Sequence, residues 1–280
     1  MTEPFANLSG VRAKLGRANE HLSAFEAERD RLPLQKAGTP FIDFRRDGDW
    51  HVLSVRPLPK FPVRLSLIAG DFFNNLRAVL DHLVWQLILR EGKKPKETNA
   101  FPIFTSEEDF IKKVKTPLKK RQERSPLYGI PNDGDAWTII EKAQPWFHSK
   151  IDGLQPRQDM LAALRRMSNF DKHRIVLVSM GFPDQRVLSN VIAWSPANVQ
   201  PIEKLFASYG PLSHEQPTEL MRLRFASDVK ISMSVQGPFL HLTFGDEDTQ
   251  VGGLRPIYNR VSQIVDQAAA LPRVKDETKP

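Results

Sequence analysis

Val11, Leu15, Ala18, Leu22 and Phe25 recur at alternating spacings of four and three, which predicts an amphipathic helix over 8–31. Pro33 and the Lys-Ala-Gly-Thr-Pro stretch after it end that helix. The runs 41–46 and 49–56 flank Asp47-Gly48 and read as a β-hairpin, because Asp-Gly accepts the positive φ of a tight turn. A longer helix is predicted over 63–91, closed by Gly92 and Pro95. One side of it is almost wholly apolar: Phe72, Phe73, Leu76, Val79, Leu80, Leu83, Val84 and Leu87. At about 100° per residue, Asp71, Asn74, Asn75, Ala78, Asp81, His82 and Trp85 fall within roughly a third of its circumference. An ordinary surface helix would show long Lys and Glu side chains there. Short hydrogen-bonding groups and one imidazole suit a lined cleft or an internal polar network instead.

Residues 96–156 read as an irregular basic insert, rich in Pro, Gly and charge. Within it, Ser106 and Asp109 form a capping-box start for a short helix to Lys115, and a second short helix is expected around 136–143. A helix over 157–170 carries Leu161, Leu164 and Met167 on one side and runs into Asp171-Lys172-His173-Arg174. The segment 174–245 is mainly strand: Ile-Val-Leu-Val-Ser-Met, then alternating runs at Met221–Phe225, Val229–Val235 and Phe239–Phe244. Turns at Ser227-Asp228 and Gly237-Pro238 predict an antiparallel meander, with Val187–Trp194 as a neighbour. A helix over 254–271 closes the chain, with Ile257, Val261, Ile264, Val265 and Ala268 inward. Strands follow one another without regular helices between them. The expectation is therefore a single α+β domain over 1–280, an antiparallel sheet of about five to seven strands packed with three or four main helices.

Composition narrows the classes. The chain has no cysteine, which removes disulfides, thiol catalysis and thiolate metal sites. No apolar run reaches the roughly 18 residues of a membrane span, and the N-terminus lacks a secretory pattern. A cytoplasmic bacterial or phage protein is the expectation, with no membrane partner. The net charge of +7 is local: Lys112, Lys113, Lys115, Lys119, Lys120, Arg121 and Arg124 face Glu123 alone, so the rest of the chain is nearly neutral. Such a patch attracts phosphate backbones without sequence preference, or is simply a solvated surface. The heptad-like N-terminal helix offers a homodimer contact as an alternative to packing on its own chain.

Arg77 and His82 are separated by four residues on the polar stripe. This spacing resembles the arginine–histidine signature of HEPN ribonucleases, helical nucleases that need no metal. The resemblance implies that His82 is the acid–base group and Arg77 the phosphate contact. Ala78, directly after the arginine, departs from the family's usual polar residue, and HEPN domains are helical bundles. Arg46 with His51 has the same spacing, and Arg166 with His173 a looser form of it. A broader resemblance, to an uncharacterised family of bacterial, actinobacterial-type proteins, runs through Gly70-Asp71, Asn74-Asn75-Leu76-Arg77, Leu80-Asp81-His82-Leu83 and Trp85. It continues through Phe101-Pro102-Ile103 and Asp171–Arg174, and it implies no activity.

Two readings follow. In the first, the chain acts on RNA: Asp81 orients His82, Asp171 and His173 complete the acid–base set, and Arg174, Asn74, Asn75 and Asp71 hold substrate. Lys119, Lys120 and Arg121 then supply non-specific attraction, and no cofactor or metal is called for, since no ligand spacing supports one. Trp146, Phe147 and His148 would stack on bases or pin a loop to the core. In the second, the chain is a non-enzymatic binding or scaffold protein whose Asp/Asn/His stripe is a structural polar network.

Overall fold

A computed structural model describes residues 7–32, 42–57, 60–115, 123–171, 178–181, 192–195, 198–206, 213, 215–233, 241–244 and 253–272. The fold is α+β, and the chain forms two compact units. One comprises Met1–Phe25, Leu67–Val176 and Leu254–Pro280, the other Glu26–Ser66 and Leu177–Gly253.

The long helices sit where the apolar period puts them: α1 (Ser9–Asp30) and α2 (Val63–Arg90). All five apolar positions of α1 are buried within the chain's own fold, so its apolar stripe is already covered. The eight apolar residues opposite the α2 stripe are wholly excluded from solvent and form the centre of the first unit. Gly92, at φ +66°, follows the end of α2 in the left-handed conformation that glycine adopts without strain.

The insert over 96–156 is more ordered than its composition suggests. Ser106 caps α3 (Glu107–Phe110) by accepting the Asp109 amide at 3.3 Å, and the chain continues as a π-helical turn over Ile111–Lys115. Helix α4 (Asp135–Lys142) is followed at once by α5 (Pro145–Asp152), where a loop was expected. Pro145 at the first helical turn is the signal that marks it: proline there has no amide to leave unpaired. Helices α6 (Met160–Asp171) and α7 (Arg255–Ala269) pack together, and α7 buries all five residues of its expected apolar side. Among the described residues, no helix is long and apolar enough to cross a membrane.

In the second unit, β1 (Ile42–Asp47) and β2 (Trp50–Val55) form the expected hairpin, but its two-residue loop is Gly48-Asp49. Only Gly48 takes a positive φ, +59°, so the glycine occupies the first loop position rather than the second. The further strands are β3 (Val178–Gly181), β4 (Ile192–Ser195), β5 (Pro201–Phe206), β6 (Thr218–Phe225), β7 (Lys230–Met233) and β8 (His241–Phe244). Among the described residues the expected β6–β7–β8 meander does not form; its Gly237-Pro238 turn lies outside them. Instead one antiparallel sheet of four strands, fewer than five to seven, runs β1-β2-β6-β5, while β3 pairs with β8 and β4 with β7. A strand has two edges, and β2 and β5 occupy both edges of β6. Inner strand β2 buries four consecutive residues, Val52–Val55, whereas β6 alternates from Met221 to Phe225, with Arg222 and Arg224 half-buried between buried neighbours. Outer strand β1 carries Asp43, Arg45, Arg46 and Asp47, charges that discourage further pairing.

Candidate functional site

The striped helix, the Phe101-Pro102-Ile103 segment and the end of α6 meet within the first unit. Phe101, Pro102 and Ile103 are buried outside any helix or sheet, so their backbone polar groups need partners that no neighbouring strand provides. Side chains provide them. Asp81 accepts the Phe101 amide at 2.9 Å, and Arg77 donates to the Phe101 carbonyl at 2.8 Å. Arg77 and Asp81 are themselves paired at two points, 2.9 and 3.2 Å. Gln144, fully buried between α4 and α5, donates to the Pro102 carbonyl at 2.8 Å and accepts the Phe104 amide at 3.0 Å. Arg165 on α6 donates to the Ile103 carbonyl at 2.6 Å. Four side chains thus stand in for the two strands that would flank this segment in a sheet.

The rest of the stripe divides. Asn75 donates to the Asp71 carbonyl one turn back, at 2.8 Å, and so serves its own helix. Asn74 donates to the Asp171 carboxylate at 2.6 Å. That contact depends on Gly70, since a Cβ there would come within 2.2 Å of Asp171 Oδ1. Asp71, Asn74, His82 and Trp85 are exposed, while Asn75, Arg77 and Asp81 are half-buried. Among the described residues the His82 ring has no hydrogen-bond partner. Among the described residues the stripe is therefore not sealed: Arg77 and Asp81 at its edge are bonded to neighbouring backbone, and its crest of Asp71, Asn74, His82 and Trp85 is exposed.

Asp171 reaches the striped helix as expected, whereas His173 and Arg174 lie outside the described residues, as do Lys119, Lys120 and Arg121. In the described part of the basic segment, Lys113 pairs with Asp109 at 3.1 Å and Lys115 with Glu141 at 3.3 Å. Nearby, Lys96 and Glu123 bond at 2.8 Å, which raises the lysine's pKa and lowers the carboxyl's. Of the alternative Arg–His pairs, Arg46 and His51 face each other across the β1–β2 ladder. Burial first, then the Arg46 charge, lowers the His51 pKa, against an opposing pull from Asp228.

The sequence reading missed a second polar cluster. His148 Nδ1 lies 3.2 Å from both Asp152 Oδ2 and Asp159 Oδ2. Asp159 also caps α6 by accepting the Leu161 amide at 2.7 Å. Arg260 on α7 donates to the Ala143 carbonyl at 3.3 Å; burial lowers its pKa, and Asp159 and Asp152 act the other way. The i,i+4 spacing of His148 and Asp152 becomes a signal once Pro145 is read as a helix start. These bonds join helix ends, and among the described residues no three ligating side chains have the geometry to hold a metal. Trp146 is buried against Phe110, at 5.8 Å between ring centroids, so it is a core residue and not a base-stacking platform.

The chain matches no protein-family model, and no curated protein or solved structure shows significant similarity to it.

Proposed function

We propose that this chain is a non-enzymatic binding or scaffold protein in which the Arg/Asp part of the α2 stripe is structural. The observation that carries this reading is the engagement of Arg77. Its Nε and Nη2 are held by Asp81 and the Phe101 carbonyl, so a phosphate bound bidentately on either edge of the guanidinium would have to displace one of these contacts. Asp81 is bonded to Arg77 and to the Phe101 amide, and so is not oriented on His82. A catalytic pair would instead keep both groups aimed at one reacting atom.

One observation favours the competing reading of a metal-independent endoribonuclease: His82 is exposed and without a partner among the described residues. Incubation of the full chain with bulk RNA in EDTA separates the two. The binding reading expects no hydrolysis above a heat-denatured control, and the same melting temperature for His82→Ala as for the wild type. Hydrolysis that disappears in His82→Ala while the melting temperature holds would overturn it.

A further inference from the structure

The crest of α2 is laid out symmetrically about Ala78, with hydrogen-bonding groups opposite hydrogen-bonding groups and leucine opposite leucine. Counting outward from Ala78, Asn74 and His82 lie four residues to either side, Asp71 and Trp85 seven, and Leu67 and Leu89 eleven. At about 100° per residue all seven fall within roughly 40° of Ala78, a straight stripe about 33 Å long. Leu67, Trp85 and Leu89 are 55%, 40% and 42% exposed, large apolar groups left in water on one helix face. Asp71, Asn74 and His82 between them are exposed too.

We infer that this face pairs with the same face of a second copy of the chain, the two α2 helices antiparallel about a two-fold axis at Ala78. Such an axis sets residue 78+n of one copy opposite residue 78−n of the other, as a self-complementary interface requires. Leu67 then meets Leu89 of the second copy. The Trp85 indole N–H faces the Asp71 carboxylate, which accepts no hydrogen bond among the described residues. The His82 imidazole donates to Asn74 Oδ1, the atom left over when Asn74 Nδ2 bonds Asp171. Each donor on the crest faces an acceptor, each leucine a leucine, and the small Ala78 sits where the axes come closest, at about 8 Å. An unrelated partner would not require positions 78+n and 78−n to match each other; a second copy does.

The proposal rests on the face binding rather than catalysing, and the two claims fail separately: RNA hydrolysis overturns the binding reading, a concentration-independent monomer overturns the dimer. The test exploits the axis, on which position 78 meets itself. Sedimentation velocity is run on the wild type, Ala78→Lys, Ala78→Glu and an equimolar mixture of the two variants, with a thermal melt confirming that each variant is folded. The expected result is a wild-type dimer, each variant weakened at least about a hundredfold by like charges at the axis, and a dimer restored in the mixture. A wild type that stays monomeric, or a dimer indifferent to either charge, would overturn the inference.

Discussion

Arg77 and Asp81, one turn apart on α2, form a two-point ion pair in which Nη2 also donates to the Phe101 carbonyl and Oδ1 also accepts the Phe101 amide. The order of charges, cation before anion, is the less favourable one for an i,i+4 pair, and such pairs contribute only about 0.2–0.5 kcal/mol at best. An unpaired buried backbone group costs about 1–3 kcal/mol. The larger figure identifies what the pair does: it satisfies Phe101. Asp81→Ala strands the Phe101 amide and one side of Arg77 together, and should lower the unfolding free energy in urea by about 2–3 kcal/mol. His82→Ala, next in sequence but exposed, should stay within about 0.5 kcal/mol of the wild type.

Gln144 makes the complementary case from the other side of the segment. Gln144→Leu keeps the volume but removes partners from the Pro102 and Ile140 carbonyls and the Phe104 amide. Chemical denaturation should show a loss of about 3 kcal/mol or more, above that of an ordinary surface substitution.

Glycine inside a helix usually costs about 1 kcal/mol relative to alanine. At Gly70 that gain is unavailable, because the new methyl would displace Asp171 and its bond to Asn74. Gly70→Ala should therefore be neutral or destabilising in the wild type, but stabilising by about 1 kcal/mol in an Asp171→Ala background. Equal effects in the two backgrounds would mean that Asp171 does not approach Gly70.

His51 gives a pH dependence with a definite sign. Its pKa in the folded chain is lowered from 6.5, chiefly by burial and next by Arg46. The unfolded chain therefore binds the proton more readily, so stability is fully present above the unfolded value and falls as pH drops through 6.5 toward the lower folded value. An NMR titration should place the His51 midpoint below 6.5, and His51→Gln should flatten that part of the stability profile.

What the sequence revealed follows interaction range. Helices α1, α2 and α7 were legible because one period of apolar residues sets both the element and its buried face, down to Ala18 and Ala268. Strand existence was legible in the alternation of Met221, Leu223 and Phe225, but strand partners were not. Alternation says which face is buried and nothing about which distant strand, β2 or β5, fills each edge. The polar stripe was recognisable as unusual on α2, and a structural network was one of its two readings. Its partner was hidden by distance: Arg77 to Phe101 spans 24 residues and Arg165 to Ile103 spans 62. Helix α5 was missed although Pro145 marked its start, and with it the His148–Asp152–Asp159 cluster.

Amide hydrogen exchange at Phe101 tests the central claim most directly. The Phe101 N–H should be protected in the wild-type chain, should exchange much faster in Asp81→Ala, and should be unaffected in His82→Ala. A Phe101 amide that exchanges freely in the wild type, or stays equally protected without the Asp81 carboxylate, would contradict a clamp and return Arg77 and Asp81 to the list of groups available for chemistry.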